Sequence, residues 1–215
     1  MGKTAIILGA TGLTGGHLLN LLLEDDTFNK ILVFSRRKTG KEHPKLDEHI
    51  IDLLKLDDYK NLFKGDVVFC CIGTTKAKTP DKNLYKAIDY GIPVTAAKLA
   101  KQNGIKSYIV ISALGANENS RVFYNKLKGE MQRDVLAQKI EYSYVLQPSL
   151  IVGERSDKRA GEKFAEVIMR TFNFLIPKKY KMIKGKTIAK AMIEISKTGY
   201  DKHIISSAEI KEISK

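Results

Sequence analysis

Three polar side chains in this sequence form a pattern that suits chemistry at a carbonyl group. Tyr124 and Lys128 are four residues apart, so they share one face if the segment is helical. A lysine ammonium stabilises a neighbouring phenolate, so we expect Lys128 to lower the pKa of Tyr124 and suit it to general acid–base catalysis. Ser112 ends an earlier apolar run and could hydrogen-bond a carbonyl oxygen or its developing alkoxide. We therefore predict Ser112, Tyr124 and Lys128 as catalytic residues.

The Tyr-x-x-x-Lys spacing is not specific by itself, because the chain contains nine tyrosines and many lysines. A second pair with the same spacing, Tyr180 and Lys184, occurs late in the chain. Tyr180 follows Pro177 and two lysines, and no apolar run ending in serine precedes it. Position along the chain therefore favours Tyr124 over Tyr180.

Three glycines, Gly9, Gly12 and Gly15, follow the first apolar run and open a helical pattern. Gly9 permits a tight strand-to-helix turn, and Gly12 has no Cβ to keep a pyrophosphate from the backbone. Gly15 allows close packing of the helix on the sheet. The helix N-terminus offers free N–H groups to phosphates. An ordinary turn is the alternative, but a strand before and a helix after favour a dinucleotide site.

The loop after the second predicted strand indicates which dinucleotide binds. It contains Arg36, Arg37 and Lys38 and lacks the carboxylate that usually binds the ribose 2′-hydroxyl of NAD. Arginine suits a 2′-phosphate, so NADP(H) is the predicted cofactor, although a plain basic loop is the alternative. Asp52 and the segment 71–75 are expected to flank the adenine and central parts of the nucleotide. The predicted nucleotide contacts are Gly9, Thr11, Gly12, Leu13, Thr14, Gly15, Arg36, Arg37, Asp52, Leu53, Cys71, Gly73, Thr74, Thr75, Lys128 and Pro148.

Short apolar runs alternate with helical patterns along the chain, which predicts an α/β fold. We expect a Rossmann-type doubly wound parallel sheet with helices on both faces, in one domain spanning 1–215. Residues 150–200 are expected to form a small substrate-side lobe. The predicted strands are 4–8, 31–34, a weaker third that ends at 50–51, and then 66–72, 108–111, 144–146 and 203–205. The predicted helices are 13–23, 57–63 with Asp57 as N-cap, 87–102, 122–138, 164–174 and 187–196, and Ser206 with Glu209 resembles a capping box.

Composition narrows the class of protein. No apolar run approaches the length of a transmembrane helix, and residues 1–4 lead into a strand without a secretory signal, so no membrane association is expected. Cys70 and Cys71 are adjacent, which suits neither an ordinary disulfide nor a metal site. A reducing cytosol is therefore the expected compartment, with no bound metal.

The chain is basic, with a formal net charge of +13 and a pI near 9.6. The excess is concentrated late in the sequence, between 151 and 190. A solvated lysine-rich face is one interpretation, and no nucleic-acid recognition motif is present, so no specific nucleic-acid partner is expected. We instead expect part of this stretch to rim the pocket and favour an anionic substrate or docking partner. The residues concerned are Arg155, Lys158, Arg159, Lys163, Lys178, Lys179, Lys181, Lys184 and Lys186.

Several motifs together resemble a known family. The segments that carry the resemblance are 9–15, 36–37, 70–75, 112–116, 124–130 and 154–162. The chain is similar to the atypical short-chain dehydrogenases, and in particular to the Tat-interactive protein family of NADPH-binding, oxidoreductase-like proteins. The resemblance covers nearly the whole chain and implies a Rossmann fold, bound NADPH and a catalytic set on Ser112, Tyr124 and Lys128. Many dehydrogenases of this kind carry an asparagine on the fourth helix for a proton relay, and 80–104 contains no clear counterpart.

Two classes of function follow from the resemblance. In the first, the protein is a reductase of a small-molecule carbonyl: Tyr124 donates a proton, Lys128 holds the nicotinamide ribose and Ser112 orients the oxygen. In the second, the protein binds NADP(H) without chemistry and reports redox state to a protein partner. The Ser–Tyr–Lys set favours the reductase, and the missing asparagine favours the sensor.

Overall fold

The core of the protein is a seven-stranded parallel β-sheet. The structure is a computed structural model, and it describes residues 2–153 and 181–215. The strands are β1 (Lys3–Leu8), β2 (Phe28–Ser35), β3 (Leu46–Ile50), β4 (Val67–Cys70), β5 (Ser107–Ile111), β6 (Tyr142–Gln147), β7 (Ile151–Val152), β8 (Ile183–Lys184) and β9 (Ile204–Ser206). The order in the main sheet is β3-β2-β1-β4-β5-β6-β9, and β7 pairs with β8 separately. Because the order reverses between β1 and β4, the C-terminal strand ends at that point form the crevice in which such sheets bind ligands.

Helices cover both faces of this sheet, which confirms the predicted doubly wound α/β fold. They are α1 (Leu13–Glu24), α2 (Lys82–Lys86), α3 (Ile92–Gln102), α4 (Phe123–Leu136), α5 (Gly185–Thr198) and α6 (Ser207–Ile213). A 3₁₀ helix spans Leu53–Tyr59, and a π-helical turn, Ala87–Gly91, joins α2 to α3. Helices α1, α5 and α6 contribute to one apolar layer, whereas α3 and α4 contribute to the other.

Successive side chains along each strand point to opposite faces of the sheet, which explains why the core has two layers. In β1, Ile7 packs in the layer that includes α1, while Ile6 and Leu8 pack in the layer that includes α3. Successive strand side chains point to opposite faces, so a strand buried on both faces must be apolar throughout. Full burial of each such side chain contributes about 1.5–3 kcal/mol.

The structure agrees with the predicted end of the third strand and corrects one predicted helix start. The third strand is β3, which ends at Ile50, and its half-buried side chains explain its weak apolar signal. Asp57 does not begin the next helix, because Asp52 caps it by accepting a hydrogen bond from the Leu54 N–H. The predicted helix 87–102 is α3 preceded by the π-helical turn, and Pro93 lies in the first turn of α3, where no N–H is needed.

The C-terminal elements agree with the sequence pattern. Ser206 and Glu209 form the predicted capping box at the start of α6, in which the Glu209 carboxylate accepts from the Ser206 N–H at 2.8 Å. Strand β9 lies one residue beyond the predicted 203–205 and pairs with β6. The predicted helix 164–174 lies outside the described residues.

None of the helices in 2–153 and 181–215 is both long and apolar enough to span a membrane. In the same residues, no group of three His, Cys, Asp or Glu side chains is arranged to hold a metal ion.

Cys70 and Cys71 are free thiols, and burial raises the pKa of both.

Candidate functional site

The glycine loop brings the end of β1 against the end of β4. Gly9 has a φ of +85°, which favours glycine, and a Cβ there would lie 2.7 Å from the Cys71 carbonyl oxygen. A Cβ on Gly15 would overlap the Gly9 carbonyl oxygen. Gly15 is thus required by the backbone of the loop itself, in addition to any packing on the sheet. Cys71, just after β4, is half-buried beside this loop.

Among the described residues, no side chain caps the N-terminus of α1. Gly12 is the N-cap and provides no side-chain cap, and the first turn of the helix contains no acidic residue. The first helical hydrogen bond runs from the Gly16 N–H to the Gly12 carbonyl at 2.8 Å. The N–H groups of Leu13, Thr14 and Gly15 precede that bond and have no acceptor within the helix. Thr11 and Gly12 are exposed, so this end of α1 fits a pyrophosphate.

Part of the late basic stretch lies next to the glycine loop. A Cβ on Gly185 would come within 3.1 Å of Leu13 Cγ and 3.4 Å of Thr14 Oγ1, so the start of α5 packs against the start of α1. Lys184 and Lys186 flank Gly185 and are exposed. Lys181, another member of the stretch, is half-buried. Tyr180 lies outside the described residues. So do the other basic residues of the stretch, which are Arg155, Lys158, Arg159, Lys163, Lys178 and Lys179.

The predicted selectivity residues follow β2. Arg36 and Arg37 are exposed, and the Ser35 hydroxyl donates a 2.6 Å hydrogen bond to the Arg37 carbonyl, which fixes the loop backbone. Among the described residues, neither guanidinium forms an ion pair with a carboxylate. Asp52 is exposed and its carboxylate serves as a helix cap, while the Leu53 side chain is buried in the core.

The loop after β4 is held at Thr74 by three separate hydrogen bonds. The Thr74 N–H donates to Asp89 Oδ2 at 2.7 Å, and the Tyr85 hydroxyl donates to the Thr74 carbonyl at 3.3 Å. Thr74 Oγ1 lies 2.8 Å from the Thr79 hydroxyl oxygen. Gly73 and Thr75, on either side, are exposed. The backbone at the predicted central part of the nucleotide site is therefore fixed.

Ser112 follows β5, is buried, and is oriented by two amide side chains. Gln132 Nε2 donates a 2.6 Å hydrogen bond to Ser112 Oγ, and Gln147 Nε2 donates to Gln132 Oε1 at 3.1 Å. Pro148 follows β6, and its carbonyl accepts from the Leu114 N–H, which ties the two strand exits together. Sequence reasoning missed Gln132, although it lies four residues after the predicted lysine and on the same helical face.

Tyr124 and Lys128 lie on one face of α4, as the spacing predicts, but their surroundings differ. Tyr124 is 38% exposed, whereas Lys128 is 3% exposed. Lys128 Nζ lies 2.9 Å from Asp89 Oδ1, and Asp89 is 1% exposed. Sequence reasoning missed Asp89. An acidic residue in the stripe of buried positions Tyr85, Asp89 and Ile92 was the available signal.

The expected low pKa of Tyr124 is corrected by this arrangement. Desolvation of the phenol raises the pKa of Tyr124 above its ordinary value. Lys128 acts in the opposite direction, and Asp89 adds to the increase. Desolvation outweighs the effect of Lys128, so the net shift in the pKa of Tyr124 is upward and the phenol is protonated at neutral pH.

Several known proteins have sequences related to this chain. A family model described as NAD(P)H-binding matches residues 9–167. Protein HTATIP2 from Rattus norvegicus is 34% identical over 167 residues, which cover 76% of this chain and 69% of the relative. Protein FMP52, mitochondrial, from Eremothecium gossypii is 34% identical over 160 residues, covering 73% and 70%.

A solved structure supports the fold. The Bordetella bronchiseptica enzyme WbmG in complex with NAD superposes with a TM-score of 0.72 at 14% identity and covers 99% of this chain and 76% of its own. At that identity the similarity concerns the fold alone.

The expected cytosolic location is wrong by this comparison, because several yeast relatives are named as mitochondrial proteins. The sequence resemblance to the Tat-interactive protein family is confirmed, as is a nicotinamide dinucleotide as the class of cofactor. The roles predicted for individual site residues stay predictions. The chain belongs to the NAD(P)H-binding family, together with the HTATIP2 and FMP52 proteins.

Proposed function

We propose that the protein is an NADP(H)-dependent reductase of small carbonyl compounds. The observation that carries the proposal is the common location of two groups at the C-terminal edge of the sheet. One is the uncapped N-terminus of α1 after β1, and the other is Ser112 after β5. Tyr124 and Lys128 follow on α4. Chemistry in doubly wound folds takes place at this edge.

The choice of NADP(H) over NAD(H) rests on Arg36 and Arg37. Both are exposed at the end of β2, where a 2′-phosphate would lie, and the Arg37 backbone is fixed by Ser35. Two guanidinium groups can hold a phosphate through paired, charge-assisted hydrogen bonds. Lys38 adds a third cation.

The residues of the chain divide the chemistry among them. The chemistry that NADPH would supply in this site, when bound, is a hydride for the carbonyl carbon. Ser112 Oγ accepts from Gln132, so its own O–H is left to donate to the carbonyl oxygen. Tyr124 gives its proton to that oxygen, and its raised pKa keeps the phenol protonated before the transfer. The products are an alcohol and the oxidised cofactor, and solvent returns a proton to Tyr124.

We also propose that the ligand is anionic, because cations lie at two places beside the candidate site. Lys184 and Lys186 are exposed beside the glycine loop. Lys82 Nζ lies 6.0 Å from the ring centre of Phe123, which is exposed next to Tyr124. An apolar ring beside a cation suits a carbonyl compound with an apolar body and a carboxylate.

The experiment is NADPH oxidation with paired aromatic carbonyls that differ only in a carboxylate. We expect turnover with a preference for the carboxylates, and a loss of at least about a hundredfold in Tyr124→Phe. Tyr142→Phe is the matched control, since Tyr142 is exposed at the opposite edge of the sheet and should keep wild-type activity. Activity near the wild-type rate in Tyr124→Phe would remove this residue from the mechanism.

A non-catalytic NADP(H) sensor is the second candidate. It is supported by exposed apolar side chains beside the site, namely Leu84, Val122 and Phe123, which a protein partner could cover. The sensor predicts NADPH binding without oxidation by any carbonyl, and partner binding that depends on the redox state of the cofactor. NADPH turnover that Tyr124→Phe abolishes would exclude it.

A further inference from the structure

A buried carboxylate connects the loop after β4 to the lysine of α4. Asp89 Oδ2 accepts a hydrogen bond from the Thr74 N–H at 2.7 Å, and Asp89 Oδ1 lies 2.9 Å from Lys128 Nζ. Asp89 is 1% exposed and Lys128 is 3% exposed, so the two charges share an environment almost free of solvent. One aspartate therefore contacts both a predicted nucleotide-binding residue and a predicted catalytic residue.

The backbone at Asp89 departs from the α-helix. The turn Ala87–Gly91 is π-helical, between regular segments on either side. Such turns are rare and are found frequently at functional sites. A π-helical turn shifts the register of the helix, which brings the Asp89 carboxylate toward both α4 and the loop after β4.

The contact with Lys128 is electrostatic in character. Asp89 Oδ1 makes no hydrogen bond of ordinary geometry within the described residues, although the ammonium nitrogen is close to it. The other titratable groups that face this pair are Tyr85, Tyr124 and Cys70. Their ordinary pKa values already keep them neutral at neutral pH, and burial raises the pKa of each further. Asp89 is thus the group that offsets the positive charge of Lys128.

From this geometry we propose that Asp89 is a positioning residue that sets the relative affinity for the oxidised and reduced cofactors. The proposal rests on the proposed nicotinamide site. The oxidised nicotinamide ring carries a positive charge and the reduced ring is neutral. With Asp89 paired to it, Lys128 adds little net charge to the site, so the oxidised form is tolerated. Without Asp89, the buried ammonium would repel the oxidised form selectively.

The test compares dissociation constants for NADP⁺ and NADPH by titration calorimetry. The proteins are wild type, Asp89→Asn, Lys128→Met and the double variant. Asparagine retains an oxygen that can accept from the Thr74 N–H, so it removes the charge and spares that hydrogen bond. The ratio of the two constants cancels any loss of affinity common to both cofactor forms.

In Asp89→Asn we expect the dissociation constant for NADP⁺, divided by that for NADPH, to rise by on the order of tenfold. This is the effect of one unit charge over several ångströms in a protein. The double variant should return to the wild-type ratio, because neither charge remains. A residue with only a structural role would lower both affinities together and leave the ratio constant. An unchanged ratio in Asp89→Asn overturns the inference.

Two further outcomes are distinguishable. If Asp89→Asn does not fold, Lys128→Met carries the test, since the unpaired carboxylate should move the ratio toward NADP⁺, and an unchanged ratio there overturns the inference. If the wild type binds neither cofactor form, the proposed function fails, and the inference fails with it. Binding of both forms with a ratio insensitive to Asp89 rejects the inference alone.

Discussion

Gln132 donates a 2.6 Å hydrogen bond to Ser112 Oγ and accepts one from Gln147, so the direction of the bond at Ser112 is fixed. The amide nitrogen of Gln132 has only hydrogens to offer, and its oxygen is already engaged. The Ser112 hydroxyl must therefore use its oxygen toward Gln132 and its proton elsewhere. The two amides orient Ser112 as a donor, which is the role that a carbonyl substrate requires.

Reversal of this bond should impair turnover more than binding. In Gln132→Glu the carboxylate accepts from Ser112, so the hydroxyl proton turns away from the substrate. We expect kcat to fall by on the order of a hundredfold, the cost of one lost oxyanion donor, with NADPH affinity within about twofold of wild type. Steady-state kinetics and calorimetry on the same preparations measure both. Equal kcat values in Gln132→Glu and wild type would show that the orientation of Ser112 does not matter.

The cofactor preference should depend on the two arginines after β2. Each charge-assisted contact contributes about 1.5–3 kcal/mol, so the double variant Arg36→Ala/Arg37→Ala should weaken NADPH by on the order of a hundredfold or more. NADH has no 2′-phosphate and should be affected little. Lys106→Ala, at an exposed cation just before β5, is the control for a general loss of positive charge. Equal wild-type affinities for NADPH and NADH would contradict the assignment.

The parts of the site that could be predicted from sequence are those built by neighbouring residues. Gly9 and Gly15 are required by contacts within one loop, and Tyr124 and Lys128 share one helical turn, so local spacing was sufficient. The stripe of buried positions marks Asp89 as unusual, but local spacing does not predict its contact with Lys128. Its partner is 39 residues away and depends on a π-helical turn for which the sequence carries no established signal.

Competition between local signals explains other differences. Asp52 and Asp57 are both good N-cap residues, and only the position of the buried Leu53 and Leu56 decides for Asp52. The spacing of Tyr124 and Lys128 by itself predicts a lowered pKa for Tyr124, whereas the pKa is raised in the folded chain. Its direction depends on burial and on Asp89, which are properties of the folded chain.

The capping box of α6 should contribute to stability in a pH-dependent way. Lys202 and Ser206 lower the pKa of Glu209 from 4.5 to about 2. Since the folded state holds this carboxylate ionised, the contribution is present above about pH 4.5 and disappears as pH falls toward 2. Lys202 is exposed, so solvent screening keeps the contribution of this ion pair small.

Urea denaturation of Glu209→Gln tests this directly. The variant should unfold at lower urea than wild type at neutral pH, and the two should converge as the solution is acidified. Glu212→Gln is the control, because Glu212 is an exposed residue of the same helix and outside the capping box. A difference that stays constant with pH would mean that the cap acts without its charge.

The last prediction concerns the pH dependence of carbonyl reduction. Desolvation has the largest effect and raises the pKa of Tyr124. Lys128 lowers this pKa and Asp89 raises it, so that the net shift is upward. A general acid must be protonated before it acts, so the rate should be flat through neutral pH and fall only above the ordinary tyrosine value of about 10. Removal of the negative charge in Asp89→Asn favours the phenolate, and the alkaline limb should then move to lower pH. Removal of the positive charge in Lys128→Met should move the pKa of Tyr124 in the opposite direction. Phenolate absorbance of the cofactor-free protein, taken as the difference from the matching Tyr124→Phe variant, measures these shifts without a substrate. If both variants titrate like the wild type, neither Asp89 nor Lys128 controls the proton on Tyr124.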